Sequence, residues 1–229
     1  MYLNIYKKRG IVMGSLFSPD SAPMKFMSRV ADLIILNALY IITCIPIITI
    51  GAANTAMYSV CFRMGTVREN GVVAPYFKAF KENFKQSTIA WLILLVIGFA
   101  TYWNTFIFIG MKDNSKYMCI PFIFLFFVLW FVGAYTFPLI SQFDNDKVTQ
   151  VLKNAFMFSF KYLPRTILMT ALNILPFVIL WISPMIFLIL GFIWFLIYFG
   201  AVTYFNSRRL QKVFKPYMPE DFFKPDEYK

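Results

Sequence analysis

Apolar residues gather in long blocks separated by short lysine-bearing stretches, and that alternation predicts the architecture. The first block, residues 24–64, stays apolar for about 40 residues. A single crossing helix needs only about 20 apolar residues to traverse roughly 30 Å of hydrocarbon. With Pro46 and Gly51 near its middle, the block therefore reads as a helical hairpin that enters, turns and returns. Residues 88–109 and 119–140 each have the length of one crossing. Residues 166–205 again run for about 40, interrupted at Ser183-Pro184, and read as a second tight hairpin. The expectation is an all-α polytopic bundle of about six spans. A single membrane domain covers residues 24–210, with residues 1–23 as a cytoplasmic N-terminal segment and 211–229 as a cytoplasmic tail.

The basic residues orient this bundle. Lys and Arg bias short loops toward the cytoplasm. With six spans and the N-terminus inside, Lys112 and Lys116 alone face out and the other 20 of the 22 Lys and Arg face in. Were the first block crossed only once, the best five-span arrangement would leave seven outside. The charge pattern thus favours six spans with both termini cytoplasmic. The first 14 residues are too polar for a cleavable signal peptide. Met1 and Met13 both stand as starts, and a Met13-Gly14 start has the form of a myristoylation motif.

Composition agrees with the pattern. The chain is 59% hydrophobic and 20% aromatic but 14% charged, a balance suited to a bilayer rather than to a soluble surface. A net charge of +11 dispersed between apolar blocks does not call for nucleic acid. The three cysteines show no metal-ligand or disulfide spacing and read as small packing residues.

Two cytoplasmic connections are patterned. In residues 74–88, Phe77, Phe80 and Phe84 recur at helical spacing beside Lys78, Lys81 and Lys85. An aromatic stripe next to a basic one is the signature of a helix lying in the membrane interface. The pattern Ala79-Phe80-x-x-x-Phe84-Lys85 returns as Ala155-Phe156-x-x-x-Phe160-Lys161, each followed by Thr-Ile and a span. The expectation is two basic amphipathic helices on the cytoplasmic face, anchored to lipid or docked to a partner, within an internal duplication.

Candidate sites are few. Gly51, Thr55 and Ser59 share one face of the returning limb, where small residues permit close helix packing. Together with Pro46 they also match a broken helix whose amide end faces a substrate. Asp32, three residues after Arg29, is the one acidic residue near the first span, so the two read as a membrane-edge ion pair or a gating group.

Residues 15–21, 26–33 and 44–58 (SLFSPDS, FMSRVADL and CIPIITIGAANTAMY) resemble the YesL-like family of uncharacterised bacterial membrane proteins. The resemblance implies a helical membrane protein of the Gram-positive cell membrane, often encoded beside carbohydrate-uptake ABC transporters. It brings no catalytic residues.

The chain has no histidine, which removes the commonest general base and metal ligand. It shows no P-loop, nucleophile elbow or paired carboxylates. We expect no enzyme, metal or cofactor. We expect an accessory or scaffold component of a carbohydrate-uptake system, with ABC-importer membrane subunits or further copies of itself as partners in the bilayer. The alternative is a small transporter or channel acting alone, with Asp32 and Gly51 at its site.

Overall fold

The computed structural model describes residues 21–64, 71–111, 117–143 and 147–218, and among these the chain is helical with no strand. The two candidate starts and most of the acidic tail lie outside the described residues. Helix α1 (Ala22–Cys44) opens with a proline in its first turn and stops at Pro46, which has no N–H to extend the ladder. Thr49 tidies that end. Its hydroxyl donates to the Thr43 carbonyl at 2.6 Å and the Pro46 carbonyl at 2.8 Å, carbonyls at the broken end of the ladder. A 3₁₀ turn over Ile47–Thr49 then leads into α2 (Ile50–Arg63).

Helix α3 (Val73–Ile109) is one uninterrupted element of 37 residues, about 55 Å long. It absorbs residues 74–88, which the sequence suggested as a separate interfacial helix. No proline or glycine occurs between Pro75 and Gly98, so nothing in the chain detaches the Lys/Phe stretch from the apolar one. Helix α4 (Cys119–Gln142) returns along it, with Phe108 stacked on Phe122 at 5.6 Å and Trp91 packed on Phe137 at 6.4 Å.

Helix α5 (Val148–Lys161) is the second Lys/Phe stretch, and here the helix does end: Tyr162 leaves helical geometry and Pro164 starts α6 (Leu163–Ile182). The interruption at Ser183-Pro184 is present. Ser183 is extended, its hydroxyl accepts from the Ile186 N–H at 3.4 Å, and Pro184 opens the short α7 (Pro184–Ile189). A single helical turn (Gly191–Ile193) and a π-helical turn (Trp194–Tyr198) follow before α8 (Phe199–Phe214).

Four of these elements are long and apolar enough to cross a membrane: Pro23–Cys44, Val73–Ile109, Cys119–Gln142 and Leu163–Ile182. The two returning limbs are not. Helix α2 has 14 residues, about 21 Å, and the limb after Ser183 is broken into α7, the π turn and α8.

Two buried clusters hold the bundle, and α2 lies between them. Tyr58 and Phe62 join Tyr135, Phe158, Leu210 and Phe214 on one side. Ala56, Met57, Val60 and Cys61 join Leu36, Tyr76 and Ala79 on the other. The contacts also fix the height of α2 along α3. Gly51 and Thr55 meet Ser87, and the Trp91 indole N–H donates to the Ile47 carbonyl at 2.8 Å. The tip of the first hairpin therefore stands level with residues 87–91. Helix α2 packs along the Lys/Phe half of α3, while the apolar half runs on past the tip for about 27 Å with α4 beside it.

Helix α1 comes closest to α8 where the Leu33 carbonyl lies against Gly200, and Tyr40 packs on Phe199 with ring centroids 5.7 Å apart.

Candidate functional site

Two surfaces and one buried joint collect the residues with prospective roles. The joint is at Asn37, which sequence reasoning passed over. This side chain is wholly buried. Its amide nitrogen donates to the Phe195 carbonyl at 2.5 Å, and its amide oxygen accepts from the Gly200 N–H at 3.0 Å. In a continuous π turn those two backbone groups would bond each other. The asparagine is spliced between them, so helix α1 carries the hydrogen bond that the last limb lacks. Gly200 makes this possible, because a Cβ there would stand 2.9 Å from the Leu33 carbonyl oxygen. The signal in the sequence was a lone Asn inside the apolar run Leu33–Thr43, where a polar group is affordable only if bonded.

A second tie has the same logic. Pro176 lacks the N–H that would bond the Leu172 carbonyl four residues back, and the Tyr198 hydroxyl donates to that carbonyl at 2.6 Å. At the far end of α2, Gln211 donates to the Phe62 carbonyl at 2.8 Å and the Arg208 guanidinium to the Met64 carbonyl. Those carbonyls cap a helix C-terminus, where a cation is favoured.

The expected broken-helix site looks different in place. Pro46 breaks the chain, but Gly51 does not; it lies in the first turn of α2, against α3. A Cβ at Gly51 would strike the Ser87 carbonyl oxygen and stand 2.6 Å from Trp91 Cβ. The Thr55 and Ser87 hydroxyls hydrogen-bond at 2.7 Å on the same line, and Ser59 is buried further along. These positions hold α2 to α3, and the space a side chain at Gly51 would need is taken by Ser87 and Trp91.

Arg29 and Asp32 are not brought together. Arg29 is exposed, Asp32 is half-buried, and among the described residues no ion pair joins them. Spacing of three residues puts two side chains near each other without obliging them to pair, and an exposed arginine gains little by doing so.

The two surfaces are the Lys/Phe faces. On α3, Phe77, Lys81, Phe84 and Lys85 are exposed while Tyr76 and Ala79 are buried behind them; Phe80 departs from the stripe by packing between Tyr76 and Phe84. On α5, Phe156 and Phe160 are exposed with ring centroids 4.8 Å apart, above buried Val151, Ala155 and Phe158. Ala79 and Ala155, equivalent in the suggested repeat, are both buried, and Phe84 and Phe160 are both exposed. Lys161 is engaged: its ammonium donates to the Tyr217 hydroxyl at 2.6 Å. That contact holds the Lys161 pKa above its ordinary value and pulls the Tyr217 hydroxyl below the usual tyrosine value of 10.0.

Residues 33–105 match a family model described as protein of unknown function, DUF624. This is the family to which YesL belongs. The matched stretch runs from the second half of α1 through α2 into α3, so it takes in Asn37, Pro46, Gly51 and the first Lys/Phe face. It accounts for about a third of the chain. No curated protein and no solved structure matches the sequence. Among the described residues no three His, Cys, Asp or Glu are grouped to hold a metal ion, and Cys44, Cys61 and Cys119 are free.

Proposed function

We propose that this chain is a non-enzymatic accessory or scaffold protein of the bacterial cell membrane, working beside a carbohydrate-uptake system of the ABC type. The observation that carries the reading is the pair of exposed Lys/Phe faces on α3 and α5. Each belongs to a helix whose opposite side is already packed, so each is firmly held and offers rings and cations outward. Membrane surfaces and partner helices both accept that chemistry. The carbohydrate and ABC parts of the proposal rest on the YesL-like resemblance.

In this reading the bundle has six membrane segments, the first two forming a hairpin whose tip reaches only the level of residues 87–91 of α3, and the two returning limbs are shorter than the four long helices. Because each hairpin brings the chain back to the side it left, both termini lie on the cytoplasmic side with the Lys/Phe faces. The closed packing at Gly51 favours the accessory role over a stand-alone carrier built on that residue.

The test is purification of the tagged protein from native membranes in a mild detergent, with co-purifying proteins identified by mass spectrometry. We expect ABC permease subunits, lost when Lys81, Phe84 and Lys85 are replaced together with Phe156 and Phe160. Recovery of the protein alone as a defined homo-oligomer overturns the reading.

A further inference from the structure

Between the packed lower half of the bundle and its looser apolar half lies a half-open cavity of about 420 Å³, walled by α1, α2, α3, α4, α6 and α8. No charged side chain lines it. Its walls are largely rings, among them Trp91, Phe126 and Trp130, and Trp91 is fixed in place by its bond to the Ile47 carbonyl. Set among the rings are amides and hydroxyls; the Asn54 amide donates one N–H to the Ile50 carbonyl at 2.9 Å and keeps its second N–H without a bond among the described residues. The Tyr40 hydroxyl reaches the Asn54 amide oxygen only at 3.4 Å, long for such a bond, and the Thr203 hydroxyl has only the Met57 sulfur, a weak acceptor, at 3.5 Å. Asn173 lines the cavity with no hydrogen-bond partner among the described residues. Behind the wall, the buried Asn206 amide sits beside the Tyr58 hydroxyl.

We infer that this cavity is a binding site for a small uncharged ring compound that carries a hydrogen-bonding group such as an amide. Rings select a flat apolar body. The Asn54 and Asn173 amides, on α2 and α6, select the polar group. The lack of any charged lining residue rejects ions, whose desolvation would go uncompensated. The volume falls in the range of ordinary small-molecule pockets. A lipid acyl chain fills the apolar part but leaves the amides unanswered. The inference does not rest on the accessory role.

The test is equilibrium dialysis of labelled benzamide against the full chain in phosphatidylcholine nanodiscs, with empty nanodiscs as blank. Benzoate serves as the charged counterpart and toluene as the apolar one. We expect saturable benzamide binding at one site, with benzoate and toluene at least about tenfold weaker. Replacing Asn54→Leu and Asn173→Leu together should weaken benzamide about tenfold, the scale of two lost hydrogen bonds. Gly98→Leu should abolish binding, since a side chain there enters open space at the cavity wall. Circular dichroism and melting of each variant show that it is folded. Benzamide uptake no greater than that of empty discs, or untouched by both variants, overturns the assignment. Toluene binding as tightly as benzamide also overturns it and makes the cavity an acyl-chain pocket.

Discussion

The chain breaks two of its long apolar blocks at proline, and the two breaks have opposite fates. After Pro46 the returning limb is α2, where Gly51, Ala52, Ala53, Thr55, Ala56 and Ser59 are buried between two clusters. After Pro184 the limb carries Met185, Leu188, Ile189 and Phe192, all largely exposed, and Trp181 just before the turn is 90% exposed. Both limbs are apolar, so hydrophobicity does not separate them. Size does: in a lipid setting close backbone approach over small residues is what binds helices together. Large side chains at the same spacing leave the last hairpin's outer end facing outward, held at its base by Asn37 and by Tyr198.

That contrast is easiest to break at Gly51. A leucine there must displace the Ser87 backbone or Trp91, and Gly51→Leu is expected to cost about 3 kcal/mol, the upper range for overpacking. Leu188→Ala in the other limb should stay within about 0.5 kcal/mol, as at a surface site. Thermal unfolding of both variants in one detergent checks this. Equal losses would show that the two limbs are packed alike.

The next effect belongs to the joint between the regions. Asn37→Leu leaves the Phe195 carbonyl and the Gly200 N–H to find each other or go unbonded. The expected loss is about 2 kcal/mol, accompanied by faster hydrogen exchange over residues 195–200. Unchanged exchange there would mean that the π turn does not depend on α1.

A smaller effect tests the seam under α2. Thr55→Val and Ser87→Ala should each cost about 1 kcal/mol and together little more than either alone, since they share one hydrogen bond. Additive losses would show that the two hydroxyls are not partners.

The smallest concerns the end of the last limb, where Lys161 meets Tyr217. The lowered Tyr217 and raised Lys161 pKa values favour the ionised pair in the alkaline window between them. The tyrosine's share is present above the ordinary tyrosine value and fades as pH falls through its lowered one. The lysine's share is present below the ordinary lysine value and fades as pH rises through its raised one. Carbon NMR of labelled Tyr217 should show it ionising earlier than an ordinary tyrosine, and Lys161→Gln should move that titration back up. Both groups lie at the surface, so no change in overall stability is expected.

Much of the architecture was legible because apolar block length and proline position are local properties. The breaks at Pro46 and Ser183-Pro184, the helices α3 and α4 long and apolar enough to cross a membrane, and the burial of the Gly51, Thr55 and Ser59 face all follow from them. What was not legible depends on contacts distant in sequence. In the sequence Gly51 looks like part of the break, yet its lack of a side chain serves Ser87 and Trp91 on another helix. The level of α2 beside residues 87–91, rather than beside the apolar part of α3, is set by that same contact. Asn37 and Gly200 are ordinary residues alone and a joint only when 163 positions apart they meet. The Lys/Phe stretch in α3 carries the pattern of an interfacial helix, but nothing breaks the backbone between it and the apolar half, whereas Pro164 follows the second stretch.

In the proposed role the Lys/Phe faces dock a membrane partner while the last hairpin's tip meets only lipid. A photocrosslinking amino acid placed at Phe84, Phe160 or Trp181, irradiated in intact cells, separates the two surfaces. Docked faces give discrete adducts with permease subunits from positions 84 and 160 and none from 181. Lipid adducts alone from all three positions, or the same protein adducts from position 181, would contradict the proposed role.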